Sequence, residues 1–406
     1  TQRIDQQIYN HPVLAHFFSA GNSGDKQCSN YSNFSSPDGG RFGNITGGRK
    51  AGKNTIAVGN VAYDDRVLLL SSRGPTRDGR IKPDLMGHGQ GNFTTDTNNG
   101  YRSGGGTSAA APGVTGTAAL LYQAYRNDNA GQDPSSALIK ATLLNTAEDL
   151  GNPGPDYITG WGRVHGRRAL QLLQNRWYQS ATATHNATRN HTIQVPAGTQ
   201  RLRVMLYWHD PEGLALASKA LVNDLDLTLQ APDGSSHLPW VLSAAPHRDS
   251  LNKPAAPGVD RRNNVEQIVI NEPVPGNYTV RVRGHLVPKG PQPYLVVYYF
   301  EMEALEIAYP TGGESIVPGE TTTLRWDAIG NTGTFSIEYS TNQGTNWQSI
   351  ANGIAGHLRH YDWQVPGNLQ AAQALIRVRR NGAEARSPQP FSIIETPDFN
   401  FFYVSQ

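Results

Sequence analysis

The chain has 406 residues, of which 37% are hydrophobic and 17% charged, with a formal net charge of +2. This length exceeds one ordinary core and predicts two or three domains, while the near-neutral charge gives no general attraction to nucleic acid. No apolar run is long enough to span a bilayer, and the lone Cys28 excludes an intrachain disulfide. The composition indicates a globular protein and leaves its oligomeric state open.

The first part of the chain, residues 1–175, alternates between strand and helix patterns. LAHFFSAGN (14–22) and NTIAVGNVA (54–62) are short apolar runs typical of buried parallel strands. SAAAPGVTGTAALLYQAYR (108–126) predicts a helix, and in DPSSALIKATLLNTAEDL (133–150) we expect Asp133 as N-cap and Pro134 at the first helical position. Strands that alternate with helices predict an α/β fold with a parallel sheet.

From residue 176 onward the pattern changes to short alternating or β-branched runs separated by Pro, Gly and Asn turns, with no helix pattern between them. Residues 176–303 predict an all-β sandwich or jelly roll, and residues 304–397 a smaller immunoglobulin- or fibronectin-like sandwich. Residues 398–406 are interpreted as a tail or a linker to a further segment. The predicted fold is therefore an α/β parallel-sheet portion followed by two all-β sandwich domains.

Ser108 stands between a glycine run and the start of a predicted helix. The glycines allow a sharp turn and a close approach by another chain, and a helix N-terminus offers free N–H groups to developing negative charge. This combination suits acyl transfer, in which a nucleophile lies beside donors for an oxyanion. Pro112 is expected in the first turn, where its missing N–H is harmless. The alternative is an ordinary N-cap serine before a buried helix.

The string GTSAAAPGVTGTAALL (106–121) resembles the serine motif of the subtilisin-like serine proteases, or subtilases, with Ala109 where methionine is usual. FFSAGNSGD (17–25) resembles the family's oxyanion segment, and residues 68–89 resemble the string between these two motifs. Further matches follow the serine, so the resemblance covers residues 1–175. In place of the usual Ala-Pro-Gly, the chain has Gly87, His88 and Gly89, and we interpret His88 as a solvated loop residue and not as a catalytic base.

The resemblance implies that Ser108 is the nucleophile and that the side chain of Asn22 donates to the oxyanion. It also implies substrate-binding roles for Ser19, Ala20, Gly21 and Thr107. The aspartate and histidine motifs of the family should precede the asparagine, and residues 1–21 do not contain them. We therefore expect the His and Asp of the triad upstream of this chain, and we expect the chain to be a piece of a longer protease that is inactive alone.

The first β region, 176–303, resembles the jelly-roll domain that follows the catalytic domain in a branch of alkaline subtilases. Asp224 and Asp226 alternate with leucines, which places both carboxylates on one strand face, where with Asn223 they would suit Ca²⁺. A solvated strand face is the alternative. Calcium is also a cofactor that the family resemblance implies. The second β region is interpreted as a spacer, with binding to a carbohydrate or a cell surface as the alternative.

Together these patterns predict a secreted serine endopeptidase that acts on protein or peptide substrates, without a membrane span or a nucleic-acid partner. The rival hypothesis is a catalytically inactive fragment or scaffold that uses only its β domains. An α/β-hydrolase is disfavoured because Ala110 stands where its Gly-x-Ser-x-Gly motif requires the last glycine.

Overall fold

The computed structural model describes residues 1–215, 217–302, 305–330 and 332–395. The chain divides into two compact units, Thr1–Phe300 and Glu301–Gln406. The segment 398–406, predicted as a tail or linker, lies outside the described residues. A search of the described helices for one long and apolar enough to cross a bilayer finds none.

The first 175 residues contain a three-stranded parallel sheet with helices packed on it. The sheet has the order β1-β2-β3, and both pairings are parallel, as the alternation of patterns predicts. The hairpin of β4 and β5 connects the sheet to the helix that carries Ser108. In chain order the elements are α1 (Gln2–Asn10), β1 (Phe17–Ser19), a 3₁₀ helix (Asn30–Asn33), β2 (Ile56–Val61), β3 (Leu85–His88), β4 (Asn92–Thr95), β5 (Tyr101–Gly104), α2 (Thr107–Asp128), α3 (Ser136–Asn145) and α4 (Gly166–Gln174).

Helix α2 packs its small residues against the parallel sheet. Ala110 and Val114 are buried in the same hydrophobic cluster as Leu85 of β3. Because α2 begins at Thr107, Pro112 lies inside the helix and not in its first turn, so that expectation was wrong. A proline at this position removes the N–H that would donate to the carbonyl four residues earlier, which belongs to Ser108.

The predicted start of α3 also needs correction. Ser135 is the N-cap, and its side chain accepts a hydrogen bond from the Leu138 N–H at 3.2 Å. Asp133 lies before the helix and pairs with Arg126, with 2.5 Å between the Arg126 Nε and the Asp133 Oδ1 atoms. Both Asp and Ser are favoured caps, so composition alone does not choose between positions two residues apart.

Residues 176–302 form two four-stranded sheets, of order β13-β8-β15-β6 and β10-β9-β14-β7. Leucines, isoleucines and valines from both sheets meet in one buried cluster. A five-residue helix, α5, interrupts the strands, contrary to the expectation that no helix would. The elements are β6 (Tyr178–Ala183), β7 (Thr188–Val195), β8 (Thr199–Tyr207), β9 (Asp224–Gln230), β10 (Ser236–His237), β11 (Trp240–Val241), α5 (Arg248–Asn252), β12 (Ala256–Pro257), β13 (Val265–Asn271), β14 (Gly276–Leu286) and β15 (Gln292–Met302).

The second unit also consists of strands, which form a three-stranded sheet, β16-β18-β21, and a larger sheet built on β22. Its own hydrophobic cluster is centred on Trp326, Phe335 and Trp363. The side chain of Trp347 lies under two guanidinium groups, with the Arg377 Cζ 4.2 Å and the Arg386 Cζ 5.4 Å from the ring centroid. The strands are β16 (Leu305–Tyr309), β17 (Ser315–Ile316), β18 (Thr321–Ala328), β19 (Thr334–Ser340), β20 (Gln348–Ala355), β21 (His360–Gln364), β22 (Ala371–Arg380), β23 (Ala383–Arg386) and β24 (Phe391–Ile393).

Candidate active site

The loop after β1 and the start of α2 are joined by the side chains of Asn22 and Thr107. The Thr107 N–H and the Thr107 hydroxyl both donate to the Asn22 Oδ1 atom, each at 3.0 Å. The Gly21 N–H in turn donates to the Thr107 Oγ1 atom at 3.1 Å. Because a backbone N–H can only donate, the Asn22 atom that faces it must be the oxygen, which leaves the Nδ2 group as the outward donor.

Ser108 is exposed in the first turn of α2, while Thr107 before it is buried. The Ser108 N–H and hydroxyl have no hydrogen-bond partner within the described part of the chain. The first N–H groups of a helix lack intrahelical acceptors and carry the positive end of the helix dipole. An exposed hydroxyl, a free N–H and an outward amide donor are therefore held at one place.

Gly106 is required at this junction for two reasons. Its φ of +99° lies in the region that favours glycine, and an added Cβ would lie 2.8 Å from the Asn22 Nδ2 atom. Its N–H donates to the Gly89 carbonyl at 2.7 Å, which anchors the start of α2 to the end of β3. A side chain at Gly106 would therefore displace the Asn22 amide.

The four residues predicted to bind substrate lie together around this junction. Ser19 ends β1 and is half-buried, Ala20 is fully buried, and Gly21 adopts a φ of +113°. Thr107 is fully buried and its hydroxyl is engaged with Gly21 and Asn22, so its side chain positions Asn22. Their substrate-binding roles stay predictions.

His88 projects from the opposite face of β3. An added Cβ on Gly87 or Gly89 would meet residues of α2, so the side chain between them points away from that helix. The His88 Nε2 atom lies 3.3 Å from the Asp65 Oδ1 atom, and the Arg163 Nε atom lies 2.8 Å from the same oxygen. His88 therefore ends strand β3, half-buried beside Asp65, so the interpretation as a solvated loop residue was wrong. Its orientation away from α2 is consistent with the prediction that it is not the base for Ser108.

A buried charged cluster, which sequence analysis missed, lies at the amino-terminal ends of strands β2 and β3. The Asp84 carboxylate pairs with Lys82 and, at 2.9 Å, with Lys140, and it accepts the Ala57 N–H at 2.7 Å. Burial opposes ionisation of Asp84, but the ammonium groups of Lys140 and Lys82 keep its pKa below the ordinary value. The string IKPDL gives no signal of burial, because lysine and aspartate are ordinarily exposed.

A second buried pair connects residues 1–175 to the β-sheets that follow. The Lys53 ammonium contacts the Asp210 carboxylate, and both side chains are fully buried. The Asp210 carboxylate also accepts the Val222 and Asn223 N–H groups at 2.8 and 2.7 Å. The two partners lie 157 positions apart, so no local sequence signal predicts this contact.

The structure places Asp224 and Asp226 against cations of the chain itself. The Arg261 guanidinium contacts both carboxylates, and the Lys219 Nζ atom lies 3.3 Å from the Asp224 Oδ2 atom. Calcium requires six to eight oxygen ligands. These two carboxylates do not fit a calcium site in this arrangement, because their oxygen atoms already pair with a guanidinium and an ammonium of the chain.

Lys50 is another residue near the junction that sequence analysis did not identify. A Cβ added to Gly21 would overlap the Lys50 Nζ atom and would lie 2.9 Å from the Ser72 Oγ atom. Lys50 is half-buried, and burial lowers the pKa of its ammonium. The glycine-rich string GGRKAGKN around it is typical of a loop and predicts no site.

Comparison with known proteins relates this junction to proteases. Residues 2–162 match the Subtilase family of peptidases. A stretch of 73 residues is 47% identical to "Extracellular serine protease" of Serratia marcescens and covers 18% of this chain and 6% of that protein. A stretch of 268 residues is 28% identical to "Serine protease/ABC transporter B family protein tagA" of Dictyostelium discoideum and covers 56% of this chain.

The chain spans only 15% of the length of the tagA protein and 16% of that of the related tagB protein. Among solved structures, the crystal structure of a lanthipeptide protease is 23% identical, with a TM-score of 0.33, over 42% of this chain and 54% of that one.

Proposed function

We propose that residues 2–162, which match the Subtilase family of peptidases, carry the nucleophile and the oxyanion donors of a serine endopeptidase. The observation that carries the proposal is the pair of hydrogen bonds from Thr107 to the Asn22 Oδ1 atom. These bonds fix an amide donor beside an exposed serine at a helix start, although the two segments lie 85 residues apart. Preorganised donors of this kind are usually the largest single contribution to acyl-transfer catalysis.

In the proposed reaction the Ser108 Oγ atom attacks the carbonyl carbon of a peptide bond. The carbonyl oxygen becomes an oxyanion that accepts hydrogen bonds from the Asn22 Nδ2 group and the Ser108 N–H. The serine proton passes to a base and then to the leaving amine, after which water releases the acyl group. We place the histidine base and its aspartate outside these 406 residues, upstream of Asn22, because the family resemblance implies that order of motifs. His88, which points away from α2, is not assigned this role.

The proposed substrate is a protein or peptide, and the proposed location is outside the cell. The Serratia relative, which is named as an extracellular protease, supports that location. We also propose that residues 176–303 and 304–397 form two β-sandwich domains, which the paired sheets and shared hydrophobic clusters support. Calcium stays a proposal from the family resemblance alone, without Asp224 and Asp226 as its ligands.

Fluorophosphonate labelling tests the proposal, because an activated serine oxygen attacks the phosphorus atom of this reagent and fluoride leaves, which gives a stable phosphonylated serine. The 406-residue chain and a version extended upstream would be labelled in parallel, each with a Ser108→Ala control. We expect labelling of Ser108 in the extended chain. An Asn22→Ala variant of that chain should be labelled about 10²–10³ times more slowly, which is the usual effect of removing one oxyanion donor.

The outcomes separate the hypotheses. Labelling of Ser108 only in the extended chain supports a base supplied from upstream. Labelling in the 406-residue chain would show that the base lies within it and would contradict our placement of the triad. An extended, folded chain without labelling at Ser108 would contradict the protease proposal and would favour a scaffold that uses the β regions.

A further inference from the structure

The absence of a side chain at Gly21, in the loop that carries Asn22, leaves a space that we call the recess, and the Lys50 ammonium lies in it. The Lys50 Nζ atom takes the space that a side chain at Gly21 would fill, and the Ser72 Oγ atom borders the same space. The Ser72 N–H donates to the Gly21 carbonyl at 2.8 Å, and the Ser23 N–H donates to the Ser72 Oγ atom at 3.1 Å. The loop is therefore fixed by hydrogen bonds on both sides of Asn22.

The ammonium in this recess has no counter-ion within the described ranges of the chain. No carboxylate there lies within ion-pair distance of the Lys50 Nζ atom, and no acceptor hydrogen-bonds to it. Lys26, by contrast, is exposed and pairs with Asp25 at 3.0 Å. Burial partly dehydrates this ammonium, and the Cys28 thiol is the titratable group that acts on it, so an anion that binds beside Lys50 is favoured.

The recess lies directly beside the proposed oxyanion position. Gly21 precedes Asn22, so their Cα atoms are about 3.8 Å apart. A substrate whose carbonyl oxygen contacts the Asn22 Nδ2 group therefore brings the side chain of the same residue close to Gly21 and Lys50. The carboxylate of an Asp or Glu side chain extends only a few ångströms from its own carbonyl.

We propose that Lys50 is a specificity-determining residue that selects an acidic side chain on the substrate residue whose carbonyl is attacked. This inference rests on the proposed protease function, because it assigns the position of the acidic residue from the oxyanion donors. Lys50 contacts the substrate and takes no part in proton transfer. The proposed specificity also requires glycine at position 21, since any side chain there would displace the Lys50 ammonium.

The first test compares peptides that differ only at the residue before the cleaved bond, as Glu or as Gln, with the upstream-extended chain. We expect kcat/KM to favour Glu about tenfold, the lower end for a hydrogen bond to a charged group. Lys50→Met should bring kcat/KM for the Glu peptide down to the value for the Gln peptide, and Lys50→Glu should favour a Lys peptide. Lys26→Met is the matched control, which removes an exposed lysine of the loop that carries Asn22 and should keep the Glu preference.

A second measurement does not depend on catalysis. Fluorescence anisotropy would compare the binding of the same two peptides to the 406-residue chain that carries Ser108→Ala. Tighter binding of the Glu peptide, lost with Lys50→Met and weakened in 1 M salt, supports the inference even if Ser108 is never labelled. Equal binding and equal cleavage of the two peptides would overturn it. So would a Lys50→Met variant that slows both peptides equally, because that result indicates a general structural role.

Discussion

The replacement of Thr107 by valine tests whether its hydroxyl holds the oxyanion donor. Valine has nearly the same shape, so the buried site stays filled while one hydrogen-bond donor and acceptor is lost. The Gly21 N–H then has no partner, and the Asn22 Oδ1 atom keeps only the Thr107 N–H. The variant therefore keeps the Asn22 amide and changes only how firmly its position is held.

The magnitudes follow from these two bonds. A partly buried N–H left unpaired costs about 1–3 kcal/mol, so we expect the free energy of unfolding to fall by about 2 kcal/mol. The lost bond to Asn22 is worth about 1 kcal/mol, and its loss allows the Nδ2 group to leave the oxyanion position. We expect fluorophosphonate labelling of Ser108 in the upstream-extended chain to slow by about fivefold.

The matched control is Thr107→Ser, which keeps the hydroxyl and removes one methyl group. It should lose about 1 kcal/mol of stability from the missing buried methyl, but it should be labelled at the parent rate. Urea unfolding and the labelling rate would be measured for both variants. The reasoning is refuted if Thr107→Val is labelled as fast as the parent, or if Thr107→Ser is slowed as much as Thr107→Val.

Two further predictions concern buried charges. Lys53→Met leaves the Asp210 carboxylate buried without its cation, so urea unfolding should show a free energy of unfolding lower by about 3–5 kcal/mol. An additional Asp210→Asn change should recover part of that loss. A double variant that is no more stable than the single variant would contradict the pairing. Burial raises the pKa of Asp149 from 3.8 to about 6, so the folded state binds the extra proton and stability falls as the pH rises from about 4 to about 6. Asp149→Asn can still accept the Gly154 N–H and should be more stable than the parent by up to about 3 kcal/mol at pH 7, with no difference below pH 4. A stability difference in thermal unfolding that does not change with pH would refute this.

Short sequence motifs were sufficient to predict the parts of the site whose structure depends only on neighbouring residues. A glycine with a positive φ, an exposed serine and a helix of small residues follow one another in GGGTSAAAPG, so the start of α2 could be predicted from sequence. The two apolar runs likewise predicted β1 and β2, because a short apolar run next to a glycine has few other structures open to it. The position of Asn22 came from the resemblance and not from spacing.

Tertiary structure decided how these parts act on each other. The Thr107 hydroxyl gives no sequence signal of its role, which exists only because β1 and α2 bring residues 85 positions apart into hydrogen-bond distance. The same holds for Lys50 beside Gly21 and for Arg261 between Asp224 and Asp226, the contact that removes the predicted calcium ligands. Charges act across space, and a charge's partner need not be near it in the chain. The sequence alone therefore specified the proposed nucleophile and the elements around it. The folded arrangement decided which side chains hydrogen-bond to the groups of the site, which pair with its charges, and which groups keep no partner among the described residues.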